Sequence, residues 1–348
     1  MNRLELPNRN RHLNITVIGG GSGNYAVLSA LKHISGINIT TIVPATDSGG
    51  SSGIIRDQYG ILPPGDIRQC LVALLKNSQK QQILRDLFTY RFNISHTFLY
   101  GHTFGNIFMT TLSRIYSDEQ LAIEKAKLLL DIKANIYPII QSKVELIAKY
   151  EDGKIKKGEK NIDKNRSPTR IKNLYLNNKY VINQKAINSI INADYIIFSP
   201  SDLFTSTGAI LIAKEIIPAF KSTKAKLIYI ANLVTKTGQT FNYKLSDFNE
   251  QIAKWVQKPM NYIIHNNEKI PTKIAKIYQK EGCSMVINDM SSNQETKVIC
   301  TNLLNKETYR QKKNDTARRS LLRHDPNKIL PIIKKILYLS KDFSFNTS

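Results

Sequence analysis

The sequence predicts an α/β fold of the Rossmann-like, doubly wound kind, with a mostly parallel sheet and a small β-rich insertion. Three observations predict it. A β-branched run, Ile15 to Ile18, enters the glycine-rich turn Gly19-Gly20-Gly21-Ser22-Gly23. A helical pattern follows, with Tyr25, Leu28, Leu31 and Ile34 along one face. A second strand-like run, Ile37 to Val43, completes the unit. Strand, glycine turn, helix and strand form the opening βαβ of a doubly wound sheet.

The remaining elements follow in order. Residues 1–14 carry basic side chains but no apolar stretch behind them, so they read as a flexible arm rather than a secretory signal. Residues 15–348 read as a single domain. Turn residues dominate from Pro44 to Arg68, with two further glycine clusters. A helix is expected from Ile67 to about Lys76, and further helices across 79–92 and 105–130. The texture changes near Tyr137: VELIAKYEDGKIKKGEK reads as two strands joined at Glu151-Asp152-Gly153, a hairpin signal. It marks a β-rich insertion at about 137–190. The α/β rhythm then returns with the strand YIIFSP, a helix over Ala209 to Ile217 and the strand KLIYIAN.

Composition bounds the function. The formal net charge is +23, which draws polyanions, although abundant Lys, Asn and Ile are also what AT-rich coding produces. The basic residues are dispersed and lack the interleaved aromatics of a stacking platform, which disfavours nucleic acid as partner. A small phosphorylated ligand fits better. No apolar run approaches the roughly 20 residues that cross a bilayer, so membrane insertion is not expected. Cys70, Cys283 and Cys300 have no CxxC spacing, and a reducing cytoplasm suits them. A homodimer is left open, because sheet proteins of this size often dimerise.

Several loops carry candidate chemistry. In Gly20, Gly21, Ser22 and Gly23 successive amides can approach a phosphate at a helix N-terminus. Gly21-x-Gly23-x-x-Ala26 satisfies a dinucleotide fingerprint, but the acidic ribose ligand expected at the end of the second strand is missing. The next loop runs Thr46-Asp47-Ser48-Gly49-Gly50-Ser51. Asp47 with nearby hydroxyls has the make-up of a Mg²⁺ site, and equally of an Asx-turn. In Pro63-Pro64-Gly65-Asp66-Ile67-Arg68, Asp66 is either an N-cap or a ligand-orienting group, and Arg68 a surface cation or a phosphate contact. Gly101-His102-Thr103-Phe104-Gly105-Asn106 offers an amide at Asn106 and a general base or structural hydrogen bond at His102.

Taken together, IGGGSG, TDSGGSSGIIRDQYGILPPGDIRQ, GHTFGN, NADYIIFSPSDLFTS, KLIYIANLVTKTGQT and RHDP resemble the gluconeogenesis-factor family, of the 2-phospho-lactate transferase-like superfamily. The resemblance runs from about Ile15 to about Lys328. It implies a Rossmann-like core and binding of UDP-N-acetylglucosamine by a regulator linked to cell shape, envelope synthesis and gluconeogenic growth. By the same resemblance Gly20, Gly21, Ser22, Gly23, Asp47, Gly49, Gly50, Ser51, Asp66, Arg68, Asn106 and Arg323 match ligand-contacting positions. The family's GPGSLYTS stands here as Ser199-Pro200-Ser201-Asp202-Leu203-Phe204-Thr205-Ser206, with Phe204 as a ring to stack on a base. The alternative is a Mg²⁺-dependent transferase of a phospholactyl-type group, with Asp47, Asp66 or His102 as catalytic candidates.

Overall fold

The computed structural model describes residues 12–93, 96–177, 179–308 and 320–339. Residues 1–11, most of the expected arm, lie outside them. Leu13 and Asn14 already belong to the first strand, β1 (Leu13–Ile18). That strand leads through Gly19 and Gly20 into α1 (Gly21–Leu31). β2 (Ile37–Val43) then runs parallel to β1, with Ile18 opposite Ile42. The opening βαβ unit is the one the sequence predicts.

The stretch from Pro44 to Arg68 differs from its reading as turns. It holds α2 (Gly50–Tyr59) and the first turn of α3 (Pro64–Leu74). Serines and glycines are poor helix formers, but α2 buries Ile55 and Arg56 and stops at Gly60 in the left-handed conformation. Three helices follow: α4 (Gln79–Thr89), α5 (Phe104–Tyr116) and α6 (Glu119–Leu129). Ser78, Thr103 and Asp118 cap their N-termini through side-chain oxygens.

β3 (Asn135–Pro138) joins β2 in the main sheet. The β-rich segment itself is narrower than expected. It comprises β4 (Leu146–Tyr150), β5 (Ile155–Lys157), the short α7 (Glu159–Asp163) and β6 (Ile171–Leu176). The three strands pair antiparallel in the order β5-β4-β6. The β4–β5 hairpin turns at Gly153, as read, with φ of +83°. β6 hides in the polar stretch because both Lys172 and Asn173 are exposed, which breaks the alternation.

α8 (Gln184–Ile191) returns the chain to the far side of β1, where β7 (Tyr195–Phe198) begins. A π-helical turn, Leu203–Gly208, leads into α9 (Ala209–Leu211), and α10 (Ile216–Ser222) follows after a break. The single helix expected over Ala209 to Ile217 is thus interrupted. The Lys214 amide donates to the Tyr180 hydroxyl at 2.8 Å instead of continuing a helical ladder. The chain ends with β8 (Lys226–Ile230), α11 (Leu245–Val256), β9 (Tyr262–Asn266), α12 (Thr272–Lys280), β10 (Lys297–Thr301) and α13 (Pro326–Leu339).

The main sheet has the order β10-β9-β8-β7-β1-β2-β3, and every pairing is parallel. β7 is buried along its whole length, with Ile196 and Phe198 in one core and Tyr195 and Ile197 in the other. The first core also takes Leu146 and Tyr150 from the insertion, and the second takes Leu28, Leu71 and Ile333 from α1, α3 and α13. Each such aliphatic side chain contributes about 1.5–3 kcal/mol on burial. β1 and β7 are neighbours whose chains leave toward opposite edges, which opens a crevice at their C-terminal ends. Among the described residues no single helix is long and apolar enough to cross a membrane.

Candidate functional site

A cleft of about 880 Å³ opens at that switch point. Its floor is Gly20 to Gly23, at the N-terminus of α1. Gly21 sits in the left-handed region, φ +61°, which a side chain would strain. A Cβ on Gly23 would lie 2.1 Å from the Pro200 carbonyl oxygen, so only glycine lets the β1 loop approach the β7 loop this closely. Backbone amides and a helix N-terminus together favour an anion. Ser199 and Ser201 stand where the family motif has glycine, yet neither adopts positive φ. Ser201 instead bonds Thr207 through its hydroxyl at 2.8 Å.

Four arginines line the cleft: Arg68, Arg85, Arg91 and Arg323. Arg68, in α3, is buried, and its Nε donates to Asn106 Oδ1 at 2.9 Å. Asn106 Nδ2 donates to Ser51 Oγ at 3.0 Å, and Ser51 Oγ lies 2.9 Å from His102 Nδ1. Burial, then Arg91, holds the His102 pKa below the usual histidine value, so the ring is neutral and Nδ1 can accept. The order Arg68–Asn106–Ser51–His102 ties α2, α3 and α5 together behind the cleft. Of these four residues only Arg68 lines it.

Arg85 is held by backbone and phenol: Nη1 donates to the Val72 carbonyl at 2.9 Å and to Tyr25 Oη at 3.1 Å. Its Nη2 reaches the Leu75 carbonyl at 3.4 Å, which Lys32 Nζ also meets at 2.7 Å. Among the described residues neither cation has a carboxylate partner, and burial, then Arg85, pushes Lys32 down to about 8. Of the two cations Arg85 lines the cleft, beside Asp86, while Lys32 lies outside it.

Arg323 arrives on the segment 320–324. The Tyr278 hydroxyl, on α12, accepts from the amides of Leu321 at 3.0 Å and Leu322 at 3.2 Å. His324 Nε2 donates to the Ala231 carbonyl at 3.0 Å. Burial lowers the His324 pKa to about 4, which keeps that ring neutral. Tyr278 and His324 thus fix the segment from both sides.

The other candidates stand elsewhere. Asp66 Oδ1 accepts from the Gly21 amide at 2.7 Å, bracing the floor rather than lining the cleft. Asp47 Oδ1 accepts from the Gly49 amide at 2.8 Å, the Asx-turn arrangement. Glu159 Oε2 accepts from the Ser48 amide at 3.0 Å, and the Lys160 amide donates to Ser48 Oγ at 3.0 Å. The loop Asp47-Ser48-Gly49-Gly50-Ser51 is therefore docked on the insertion, not on the cleft. Burial and then Asp47 push Glu159 well above the usual carboxyl value, so it carries a proton toward Asp47. Asp47 does not line the cleft, and its Oδ1 is taken up in the turn. Among the described residues no group of three or more His, Cys, Asp or Glu side chains is placed to hold a metal ion.

Phe204 corrects a further expectation. It is 2% exposed and packs edge-on against Trp255, with ring centroids 5.7 Å apart, and against Tyr243 at 6.3 Å. The ring fills the core and has no open face for a base. The sequence reading missed Tyr25, Arg85, Arg91, Lys236 and Tyr278. Arg85 and Arg91 sit in and just after a polar helix where nothing local separates them from surface cations.

The family model described as 2-phospho-L-lactate transferase CofD matches residues 15–304. A relative from Bacillus subtilis named "Gluconeogenesis factor" is 32% identical over 327 residues, covering 93% of this chain and 98% of that one. The chain belongs to the gluconeogenesis-factor family. A relative of this gluconeogenesis-factor chain from Thermotoga maritima is 31% identical over 324 residues, covering 93% of this chain and 99% of its own. A solved structure of a UPF0052 family member from Bacillus halodurans superposes with a TM-score of 0.81 at 28% identity, covering 94% of this chain and all of that one. The gluconeogenesis-factor fold therefore extends across almost the whole molecule.

Proposed function

We propose that the cleft binds the diphosphate of a nucleotide sugar, UDP-N-acetylglucosamine or a close analogue, and that the protein acts as a ligand-sensing regulator. The observation that carries this reading is that the Gly20–Gly23 loop, at a helix N-terminus, lines one cleft together with Arg68, Arg85, Arg91 and Arg323. Amides and guanidinium groups that line one volume can make charge-assisted hydrogen bonds to phosphate oxygens. The cleft is long enough to include Asn232, Ser206 and Tyr278, which supply polar contacts for a nucleoside or sugar. A role in cell shape, envelope synthesis and carbon metabolism belongs to the same proposal, since such a ligand reports on envelope precursors.

Calorimetry tests it. UDP-N-acetylglucosamine should bind the wild type, and Arg323→Ala or Arg85→Ala should weaken it about tenfold or more, as for loss of a charge-assisted contact worth about 1.5–3 kcal/mol. Absence of heat with every UDP-sugar in a panel would reject the assignment. A transferase reading is supported by the description of the matching family model. It requires consumption of a nucleotide-activated donor when Mg²⁺ and an acceptor are supplied, and a donor that stays intact removes it.

A further inference from the structure

On the wall formed by the loops after β7 and β8, one lysine is held between two carboxylates. Lys236 Nζ donates to Asp202 Oδ2 at 2.6 Å and to Asp163 Oδ1 at 2.7 Å. Asp163 closes α7 of the insertion, and its Oδ1 also accepts from Gln239 Nε2 at 2.7 Å and Thr205 Oγ1 at 3.3 Å. Burial alone would lower the lysine's pKa, but the two aspartates outweigh it and raise it, so Lys236 stays charged.

Asp163 stands behind the wall, while Lys236 and Asp202 line the cleft. The Asp202 side chain is 42% exposed, and among the described residues no hydrogen bond engages its Oδ1. A carboxylate oxygen accepts but cannot donate. Asp202 is also close to the anion-binding floor: a Cβ on Gly23 would lie 3.0 Å from the amide nitrogen of Ser201, its neighbour. Arg68, Arg85 and Arg91 belong to α3, α4 and the segment after α4, whereas on the β7–β8 wall the Lys236 charge is shared between two aspartates and Asp202 presents its second carboxylate oxygen to the cleft.

We propose that Asp202, fixed by Lys236, selects ligands whose group beyond the diphosphate is an uncharged, hydroxyl-rich sugar, and rejects sugars that carry a carboxylate. The proposal rests on the reading of the cleft as a nucleotide-sugar site and adds its specificity. A sugar hydroxyl donates to Asp202 Oδ1. A sugar carboxylate would instead meet a like charge whose ion-pair partner among the described residues is already shared with Asp163, and such repulsion is how binding sites exclude close analogues. Lys236 keeps Asp202 from folding back onto the positive wall, so removing either residue should relax selectivity.

The test compares two ligands that differ only at C6: UDP-N-acetylglucosamine and its C6-oxidised uronic acid. Calorimetry on the full chain should show the uncharged sugar binding about tenfold tighter or more to the wild type. In Asp202→Asn and Asp202→Ser the ratio should fall to about threefold or less, mainly through tighter binding of the uronic acid. Circular dichroism and melting of both variants establish that they are folded. Equal binding of the two sugars by the wild type, or a ratio unchanged in both variants, overturns the specificity and leaves the nucleotide-sugar reading standing. Failure of both sugars to bind overturns the two together.

Discussion

Asp66 Oδ1 accepts the Gly21 amide hydrogen at 2.7 Å, joining the first turn of α3 to the first turn of α1. A carboxylate between two helix N-termini is favourably placed. Asp66→Ala should release the Gly21 amide and cost about 1.5–3 kcal/mol, as expected for a charge-assisted hydrogen bond. It should also weaken ligand binding, because the floor loses its shape. Asp66→Asn keeps an acceptor and should recover most of both, as read by melting and calorimetry. Equal losses in the two variants would mean that the charge matters and the bond does not.

Asn106 holds Arg68 in place through its Oδ1. Asn106→Ala should destabilise the protein by about 1–3 kcal/mol, since buried Arg68 and Ser51 each lose a partner. Asn106→Asp should be the more informative change. It would pair with Arg68 and restore stability while cancelling the positive charge the cleft offers. Normal melting with weakened ligand affinity is the expected signature, and retained affinity in Asn106→Asp would remove Arg68 from the ligand contacts.

Tyr278→Phe removes the acceptor that holds the amides of Leu321 and Leu322. Hydrogen exchange at those two amides should accelerate, and affinity for UDP-N-acetylglucosamine should fall about tenfold as Arg323 loses its fixed approach. The rest of the fold should melt nearly as before. Unchanged exchange at Leu321 and Leu322 would show that His324 and the bond from the Asn305 amide to the Arg323 carbonyl hold the segment without Tyr278.

Glu159 supplies a pH dependence. Burial, then Asp47 and Asp163, push its pKa well above 4.5 in the folded protein. Above the unfolded value the native state binds a proton that the unfolded chain has released, so stability falls as pH rises until the folded carboxyl ionises. Melting between about pH 5 and about pH 8 should therefore decline more steeply in the wild type than in Glu159→Gln, which carries no proton to lose. Parallel profiles would show that Glu159 ionises without cost.

Phe204→Ala should cost about 3–5 kcal/mol, the range for removing a buried aromatic ring. It should not alter discrimination between uracil and other bases, because the ring packs on Trp255 and Tyr243. A change in base preference with little loss of stability would return Phe204 to the ligand.

Much of the architecture could be read directly from the residues. The opening βαβ carries period and turn chemistry that agree with each other from Leu13 to Val43, and YIIF and KLIYI have the continuous apolar character of strands buried on both faces. The glycine loop at the floor of the cleft was legible for the same reason, since Gly19, Gly20 and Gly21 mark the passage from strand to helix. α2 was not, because Gly50, Ser51 and Ser52 form a helix only under tertiary packing that no local pattern reveals. Asp47 shows the limit at the site: the residue type suits a metal, but Glu159, more than a hundred positions away, decides its surroundings. Tyr278 and Arg85 escape notice because their roles come from carbonyls and amides distant in sequence.

The floor of the cleft is made by residues 20–23 and one of its walls by residues 320–324. At about 5–20 residues per second, roughly 15–60 s of synthesis separates Gly23 from Arg323. A nascent chain can thus pair β1 with β2 long before the segment that completes the cleft has been made.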